Sequence, residues 1–119
     1  MLNQFGKIIR KARIDTGETL SSMAKGLNKT VSFLSAIETG SKKIPMKLVP
    51  QIRDYLISKG ASSSDLEELE DHAVIANGQL DIAGLGSQHQ QATVKFARST
   101  LTQEQLDMIM AIIGSESDR

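Results

Sequence analysis

A row of small side chains follows one side of a predicted helix between residues 31 and 39. In this helix Leu34 and Ile37 face inward, and a rotation of about 100° per residue directs the remaining positions outward. The outward row consists of Val31, Ser32, Ser35, Ala36 and Thr39. A hydroxyl group can form a hydrogen bond with a base edge, whereas the short apolar groups can only pack against a thymine methyl group. The row therefore predicts a modest ability to read bases in the major groove of duplex DNA.

Groups that suit phosphate contacts surround this row. Two of them stand at the start of the preceding predicted helix, where unpaired amide N–H groups and the helix dipole favour an anion. Lysines occur both before and after the row. One lysine is usually a solvated surface charge, but lysines on both sides of a single helix favour a polyanionic partner. The predicted phosphate-contacting residues are Thr19, Ser21, Lys29, Ser41, Lys42 and Lys43.

Charge is distributed unevenly along the chain. The 119 residues have no net charge, yet residues 1–60 hold eleven Lys/Arg and four Asp/Glu, which is a net charge of +7. Residues 61–119 hold three Lys/Arg and ten Asp/Glu, a net charge of −7. Because the acidic half would be repelled by the polyanion that the basic half attracts, we expect the acidic half to have another role.

Four helices are predicted in the first sixty residues. The first three run from about Phe5 to Thr16, from Leu20 to about Gly26, and from 31 to 39. The fourth ends at about Ser58. Thr19 and Thr30 are the expected N-caps of the second and third helices, and Gly40 is the expected C-terminal cap of the third. In the fourth helix, Pro50 predicts either a kink or a late start of the regular helix. We place the domain boundary in the small-residue loop after Gly60.

The second half contains three predicted helix starts and one candidate strand. At each start a Ser or Thr is followed three residues later by Glu or Gln, as in a capping box. The starts are Ser64 with Glu67, Ser87 with Gln90, and Thr102 with Gln105. After the Asn77-Gly78 turn, the alternation of Leu80 and Ile82 predicts a short strand. Since a lone strand leaves its backbone groups unpaired, we expect it to pair with the same segment of another subunit.

The last predicted helix has apolar residues on two sides, so it needs to be covered from two directions. Either a second subunit or the rest of the same domain could pack against the second apolar side of this helix. The residues predicted to join subunits are Leu80, Ile82, Met108, Ile109, Ile112 and Ile113. The expected fold is therefore mainly all-α, with a helical DNA-binding domain at 1–60. An acidic helical oligomerisation region at 61–119 contributes the one short β-strand.

Residues 19–40, TLSSMAKGLNKTVSFLSAIETG, resemble the helix-turn-helix of the Cro/phage-repressor (XRE-like) family. Met23-Ala24 stands where the family has a Leu-Ala pair, and Leu34 and Ile37 match the core pair of the second helix. Glu38-Thr39-Gly40 is similar to the usual Glu-x-Gly ending. The likeness covers about the first sixty residues, and it implies a lambda-repressor-like bundle that binds DNA.

The same resemblance places Val31, Ser32 and Ala36 at positions that usually touch base edges. Many relatives carry Gln or another long polar group there, so this chain departs from the pattern and direct readout should be weaker. Leu20 also replaces a common Gln, which removes one expected contact at the start of the second helix.

The resemblance implies a transcriptional repressor of phage or prophage type that binds a palindromic operator as a dimer or higher oligomer. Two DNA-binding domains, or heads, would then occupy half-sites about one helical turn, roughly 34 Å, apart. The expected regulator is an antirepressor or another protein, although no motif identifies it. Two alternatives stay open: a helix-turn-helix antitoxin that binds a toxin through its acidic half and autoregulates its operon, and an architectural or activating DNA-binding protein.

Other classes of protein are less consistent with the sequence. The chain has no cysteine, and His72 and His89 lie at no ligand-like spacing, so we expect neither a metal nor another cofactor. No apolar run approaches a membrane span and no signal peptide is evident, which predicts a cytoplasmic protein. Ala83-Gly84 resembles the bond cut in self-cleaving SOS-type repressors, but the chain after it is too short for their protease domain. We therefore expect no enzymatic activity.

Overall fold

The computed structural model describes residues 1–117, with side-chain surroundings given through Gly114. The described chain contains seven α-helices and one short 3-10 helix, and it has no strand within residues 1–117. The α-helices are α1 (Gln4–Thr16), α2 (Leu20–Gly26), α3 (Val31–Thr39), α4 (Leu48–Ser58), α5 (Leu69–Asn77), α6 (Ser87–Arg98) and α7 (Gln103–Ser117). The chain divides into two compact units, Met1–Leu80 and a second that begins at Asp81. The mainly all-α class is thus confirmed.

The caps predicted for α2 and α3 are confirmed as well. The Thr19 hydroxyl oxygen accepts a hydrogen bond from the N–H of Ser22 (2.9 Å), and that of Thr30 accepts one from the N–H of Phe33 (3.0 Å). α3 ends at Gly40, whose φ of 86° is a left-handed conformation that glycine adopts without strain. The two caps therefore fix where α3 begins and ends.

The core of the first unit draws side chains from each of its five α-helices. Its fully or nearly buried apolar residues are Phe5, Ile9, Ala12, Met23, Ala24, Leu34, Ile37, Ile44, Leu48, Val49, Ile52, Leu56, Leu66, Leu69 and Ala73. Leu48, Ile52 and Leu56 form the inward row of α4, and on α1 Ile8 packs at the edge of the core. A single continuous core therefore holds α3 in place.

α4 begins at Leu48, two residues before Pro50. The proline lies in the first helical turn, where its missing N–H would have no partner within the helix in any case. Of the two possibilities that Pro50 raised, a start of the regular helix only at Pro50 is therefore wrong.

The first unit extends beyond the boundary predicted after Gly60. A short 3-10 helix (Ser64–Leu66) and α5 follow, and α5 packs against α1 and α4. Leu66, Leu69 and Ala73, which the sequence interpretation assigned to the second half, are buried in the core of the first unit. The sequence pattern alone did not indicate that α5 completes this core.

This extension changes how charge is divided between the units. The five acidic residues between 65 and 71 belong to the first unit, which then holds eleven basic and nine acidic residues. These acidic residues lie on the 3-10 helix, on α5 and on the two residues between them, and α5 packs against α1 and α4. The net positive charge of the first unit is therefore much smaller than that of residues 1–60 alone.

The segment around Leu80 and Ile82, predicted to be a strand, forms turns in the single chain. The Asp81 side chain accepts a hydrogen bond from the N–H of Ala83 (2.9 Å), and the N–H of Leu85 donates to the carbonyl of Ile82 (3.0 Å). These local hydrogen bonds satisfy groups that a lone strand would leave unpaired. The strand is thus corrected to a turn, and pairing of this segment with a second copy stays a prediction.

One of the three predicted capping boxes is present. At α7 the N–H of Thr102 donates to the side-chain oxygen of Gln105 (2.9 Å), and the N–H of Gln105 donates back to the Thr102 hydroxyl (3.1 Å). α6 does start at Ser87, but the Gln90 amide instead donates to the carbonyl of Ile82 (2.9 Å). Ser64 starts the 3-10 helix rather than an α-helix.

The second unit has no buried side chain among its residues 81–114. Large apolar residues are exposed on both α6 and α7, including Val94, Phe96, Met108, Met110, Ile112 and Ile113. In the described part of the chain, no helix is both long enough and apolar enough to cross a membrane.

Candidate nucleic-acid interface

A short turn between α2 and α3 sets the orientation of α3. Asn28 adopts a left-handed conformation (φ 57°), and the N–H of Lys29 donates to the carbonyl of Ala24 (2.9 Å). Ala24 is buried where α2 and α3 pack against each other, and a larger side chain would separate them. With Leu34 and Ile37 fully buried, the opposite side of α3 faces outward.

The predicted outward row of α3 lies on the surface. Val31 is 43% exposed, Ser32, Ser35 and Thr39 are exposed, and Ala36 is half-buried. The Thr39 hydroxyl donates to the carbonyl of Ser35 (2.9 Å), so its proton is already engaged. Ser32 and Ser35 therefore offer the hydroxyl groups best able to donate to a ligand.

α3 is tied to α1 by two groups of contacts that the sequence interpretation missed. At its C-terminal end, the Asn3 amide donates to the carbonyl of Ile37 (3.2 Å), and the Asn3 N–H donates to that of Glu38 (2.9 Å). Glu38 also forms a bidentate ion pair with Arg13 of α1, with distances of 2.6 and 3.1 Å. A Cβ atom added to Gly6 would lie 2.3 Å from the Glu38 carbonyl oxygen, so the two backbones approach closely. These contacts hold α3 rigidly against α1.

The Arg13–Glu38 pair also removes negative charge from the surface. Between Glu18 and Asp54, Glu38 is the one carboxylate in the sequence, and only 2% of it is exposed. The same stretch carries six exposed basic residues, which are Lys25, Lys29, Lys42, Lys43, Lys47 and Arg53. The exposed residues of α2, α3 and the loop that follows therefore include no carboxylate, and the nearest one in the sequence, Glu18, is half-buried just before α2. A lone Glu beside the buried Ile37 was the sequence signal that could have revealed this pair.

The predicted phosphate-contacting residues around α2 differ in what they can offer. The Thr19 hydroxyl and N–H are both engaged in a reciprocal capping box with Ser22. Ser21 is exposed, and no hydrogen bond of its hydroxyl group occurs within the described residues. Ser21 is therefore better able than Thr19 to contact an anion.

The residues after α3 form a lysine-bearing loop. The N–H of Lys42 donates to the carbonyl of Ala36 (3.2 Å), which folds the loop back along the last turn of α3. The ammonium group of Lys43 donates to the side-chain oxygen of Gln79 (3.0 Å), and Ser41 is exposed beside Thr39. Both lysines are exposed, and Lys42 lies next to the last turn of α3.

Phe33 lies on the flank of α3 and packs partly against the core. The ammonium nitrogens of Lys29 and Lys42 lie over its ring, at 5.7 and 5.4 Å from the ring centroid. These distances are typical of cation–π contacts. Two lysines that are far apart in sequence thus meet at one aromatic side chain.

At the N-terminal end of α2, Glu18 is held by α4. The Tyr55 phenol donates a short hydrogen bond to the Glu18 carboxylate, and the Ser22 hydroxyl donates a second. The bond from Tyr55, followed by that from Ser22, holds the pKa of Glu18 below its ordinary value of 4.5. The same contact with Glu18 raises the pKa of Tyr55 above 10.0.

The residues predicted to join subunits fall into two groups by exposure. Leu80, Met108, Ile112 and Ile113 are all more than half exposed, while Ile82 and Ile109 are half-buried. These side chains lack a complete apolar cover within the described residues.

Comparisons of the chain with protein-family models, with curated proteins and with solved structures give no match. The resemblance of residues 19–40 to the repressor family therefore stays a prediction.

Proposed function

We propose that the chain is a sequence-specific DNA-binding repressor with a helix-turn-helix formed by α2 and α3. In this proposal α3 enters the major groove, and the basic residues around it contact phosphates. The second unit joins copies of the chain, so that a pair of heads occupies a pseudo-palindromic operator and blocks access of polymerase to the promoter.

The observation that carries this proposal is the charge of the surface around α3. The stretch between Glu18 and Asp54 presents six basic residues, while its one carboxylate is buried against Arg13. Phosphate repels any exposed carboxylate at short range, so a surface without one suits a nucleic-acid backbone. A row of small hydroxyl and apolar side chains at the centre of that surface leaves room for base edges.

The dimensions of α3 agree with this role. It has nine residues, and an α-helix with its side chains is about 10–12 Å across. The major groove is about 12 Å wide and admits one α-helix. The close approach of α3 to α1 at Gly6 and the ion pair at Glu38 hold the helix in a fixed orientation, which base recognition requires.

A single head should discriminate weakly among sequences. The outward row contains no Arg, Asn or Gln, the residues that form the bidentate contacts worth about 1–3 kcal/mol each. Joining two heads multiplies their modest preferences, because the second head binds at a high effective concentration. The proposed repressor therefore depends on assembly for tight binding, and a regulatory protein that alters assembly would release it from the operator.

The direct test of DNA binding is a mobility shift with the full-length protein. We expect binding to the DNA upstream of its own reading frame, and weaker binding to a scrambled duplex of equal length, at two salt concentrations. Lys42→Ala should weaken binding to both duplexes and reduce the salt slope by about one unit per head. Lys59→Ala is the matched control. Lys59 also lies over an aromatic ring, that of Tyr55, but it is at the end of α4 and not beside α3. No shift with either duplex at low salt would refute the proposal.

The test of assembly uses two exposed isoleucines. Ile112 on α7 is 67% exposed and Ile14 on α1 is 69% exposed, so an Asp at either position costs the monomer similarly little. If α7 joins subunits, Ile112→Asp should lower the mass measured by analytical ultracentrifugation and weaken operator binding, while Ile14→Asp should do neither. Equal masses for wild type and Ile112→Asp would exclude this part of α7 from the interface.

A further inference from the structure

We propose that Phe33 is a positioning residue that holds Lys29 and Lys42 as a two-pronged clamp for the phosphate backbone. The inference rests on the proposed DNA binding, and it assigns Phe33 a role beyond its partial packing against the core. The three residues are called the Phe33 clamp below.

Geometry brings the two charges together. With centroid distances of 5.7 and 5.4 Å, the two ammonium nitrogens lie within about 11 Å of each other. Lys29 precedes α3 and Lys42 follows it, so the ring contacts one lysine from each side of the helix in the sequence. Along one DNA strand the phosphates follow one another every 3.4 Å or so of helix axis, which puts neighbouring phosphates within the span of such a pair.

The charges of the two lysines are not neutralised by the rest of the described chain. Two positive charges held near a single ring repel each other, and that repulsion is only partly offset by the negative face of the ring. The part of the chain that the structure describes places no carboxylate within ion-pair distance of either lysine. A phosphate between or beside the two ammonium groups would remove the repulsion, so the free clamp favours binding of an anion.

The ring can hold the lysines without blocking them. An ammonium group has three N–H donors, and a ring contact on one side leaves the others free for phosphate oxygens. Fixing the two long side chains in advance reduces the conformational entropy that they would otherwise lose on binding. Phe33 thus acts through the lysines rather than by reading a base.

A double-mutant cycle on the full-length chain tests this role, with Phe33→Leu, Lys42→Ala and the double variant measured by fluorescence anisotropy. We expect Phe33→Leu to weaken binding about 3- to 10-fold on operator and scrambled duplexes alike, through loss of two ring contacts. The effect of Lys42→Ala should be about 2- to 5-fold smaller in the Phe33→Leu background than in wild type. Phe33→Tyr, which keeps the ring, should restore most of the affinity, and circular dichroism checks that each variant is folded.

A second measurement needs no variant and no DNA. In the free wild-type protein, NMR signals of the Lys29 and Lys42 ε-methylene groups should be displaced by the ring current of Phe33 relative to those of Lys25. Ordinary positions for both signals would overturn the clamp. So would additive effects of Phe33→Leu and Lys42→Ala, or a loss of affinity confined to the operator, which would make Phe33 a base or sugar contact. If wild type binds no duplex at all, the proposed function fails together with the clamp, whereas additivity with normal wild-type binding refutes the clamp alone.

Discussion

Replacing Glu38 by Gln should destabilise the first unit far more than an ordinary charge change does. The side chains of Arg13 and Glu38 are only 9% and 3% exposed, and they meet through two hydrogen bonds of 2.6 and 3.1 Å. Glu38→Gln keeps the size of the side chain but leaves the buried guanidinium without a counter-charge. Removing one partner of a buried pair costs about 3–5 kcal/mol, because the remaining charge stays out of water.

That loss is large for a unit of this size. A change of 1 kcal/mol shifts the Tm of a domain of 60–100 residues by about 4–8 °C, so we expect Tm to fall by about 12 °C or more. Urea unfolding followed by circular dichroism gives the free energy of unfolding directly. Asp15→Asn is the matched control, since it makes the same chemical change in the exposed pair between Lys11 and Asp15. It should have little effect, because exposed ion pairs are weak.

Two results would refute this reasoning. One is a loss of stability for Glu38→Gln no larger than that for Asp15→Asn, which would mean that the pair does not hold α3 against α1. The other concerns the double variant Arg13→Met with Glu38→Leu. Replacing both charges by apolar groups should recover much of the stability. A double variant as unstable as Glu38→Gln would show that an uncompensated charge is not the cause.

Three further outcomes are expected. Ser32→Arg should change which duplex sequences are bound without unfolding the head, as measured by selection from a random duplex pool; an unchanged preference would remove Ser32 from the base-reading row. Gly6→Ala should lower the free energy of unfolding by about 1–3 kcal/mol despite its better helix propensity, because the new Cβ meets the Glu38 backbone. The lowered pKa of Glu18 stabilises the fold above pH 4.5, and this contribution is lost as pH falls through the lower folded value. Tyr55→Phe should therefore make stability less dependent on pH below 4.5 in urea titrations, and an unchanged dependence would contradict the assigned cause.

Local signals in the sequence were enough to predict the first four helices and the ends of the second and third. The caps at Thr19, Thr30 and Gly40 act through backbone groups only a few residues away, so their residue types determine them. The orientation of α3 followed from the apolar spacing of Leu34 and Ile37, both of which are fully buried.

Contacts between distant segments could not be predicted in the same way. The pairing of Arg13 with Glu38 joins residues 25 positions apart, and in the sequence Arg13 was one more basic residue among many. The packing of α5 onto α1 depends on Leu66, Leu69 and Ala73, whose spacing fits a helix of either unit equally well. The strand at Leu80 rested on a two-residue alternation, which local turn hydrogen bonds outweigh.

The end of the first unit is fastened to the loop that follows α3. The Asn77 side chain accepts from the N–H of Ile44 (2.7 Å) and donates to its carbonyl (2.8 Å), so it pairs with that backbone much as a neighbouring strand would. Two residues later, Gln79 accepts from the ammonium group of Lys43. The first unit ends at Leu80, only three residues after Asn77. A displacement of the end of α5 would therefore be passed to the lysine loop through these hydrogen bonds.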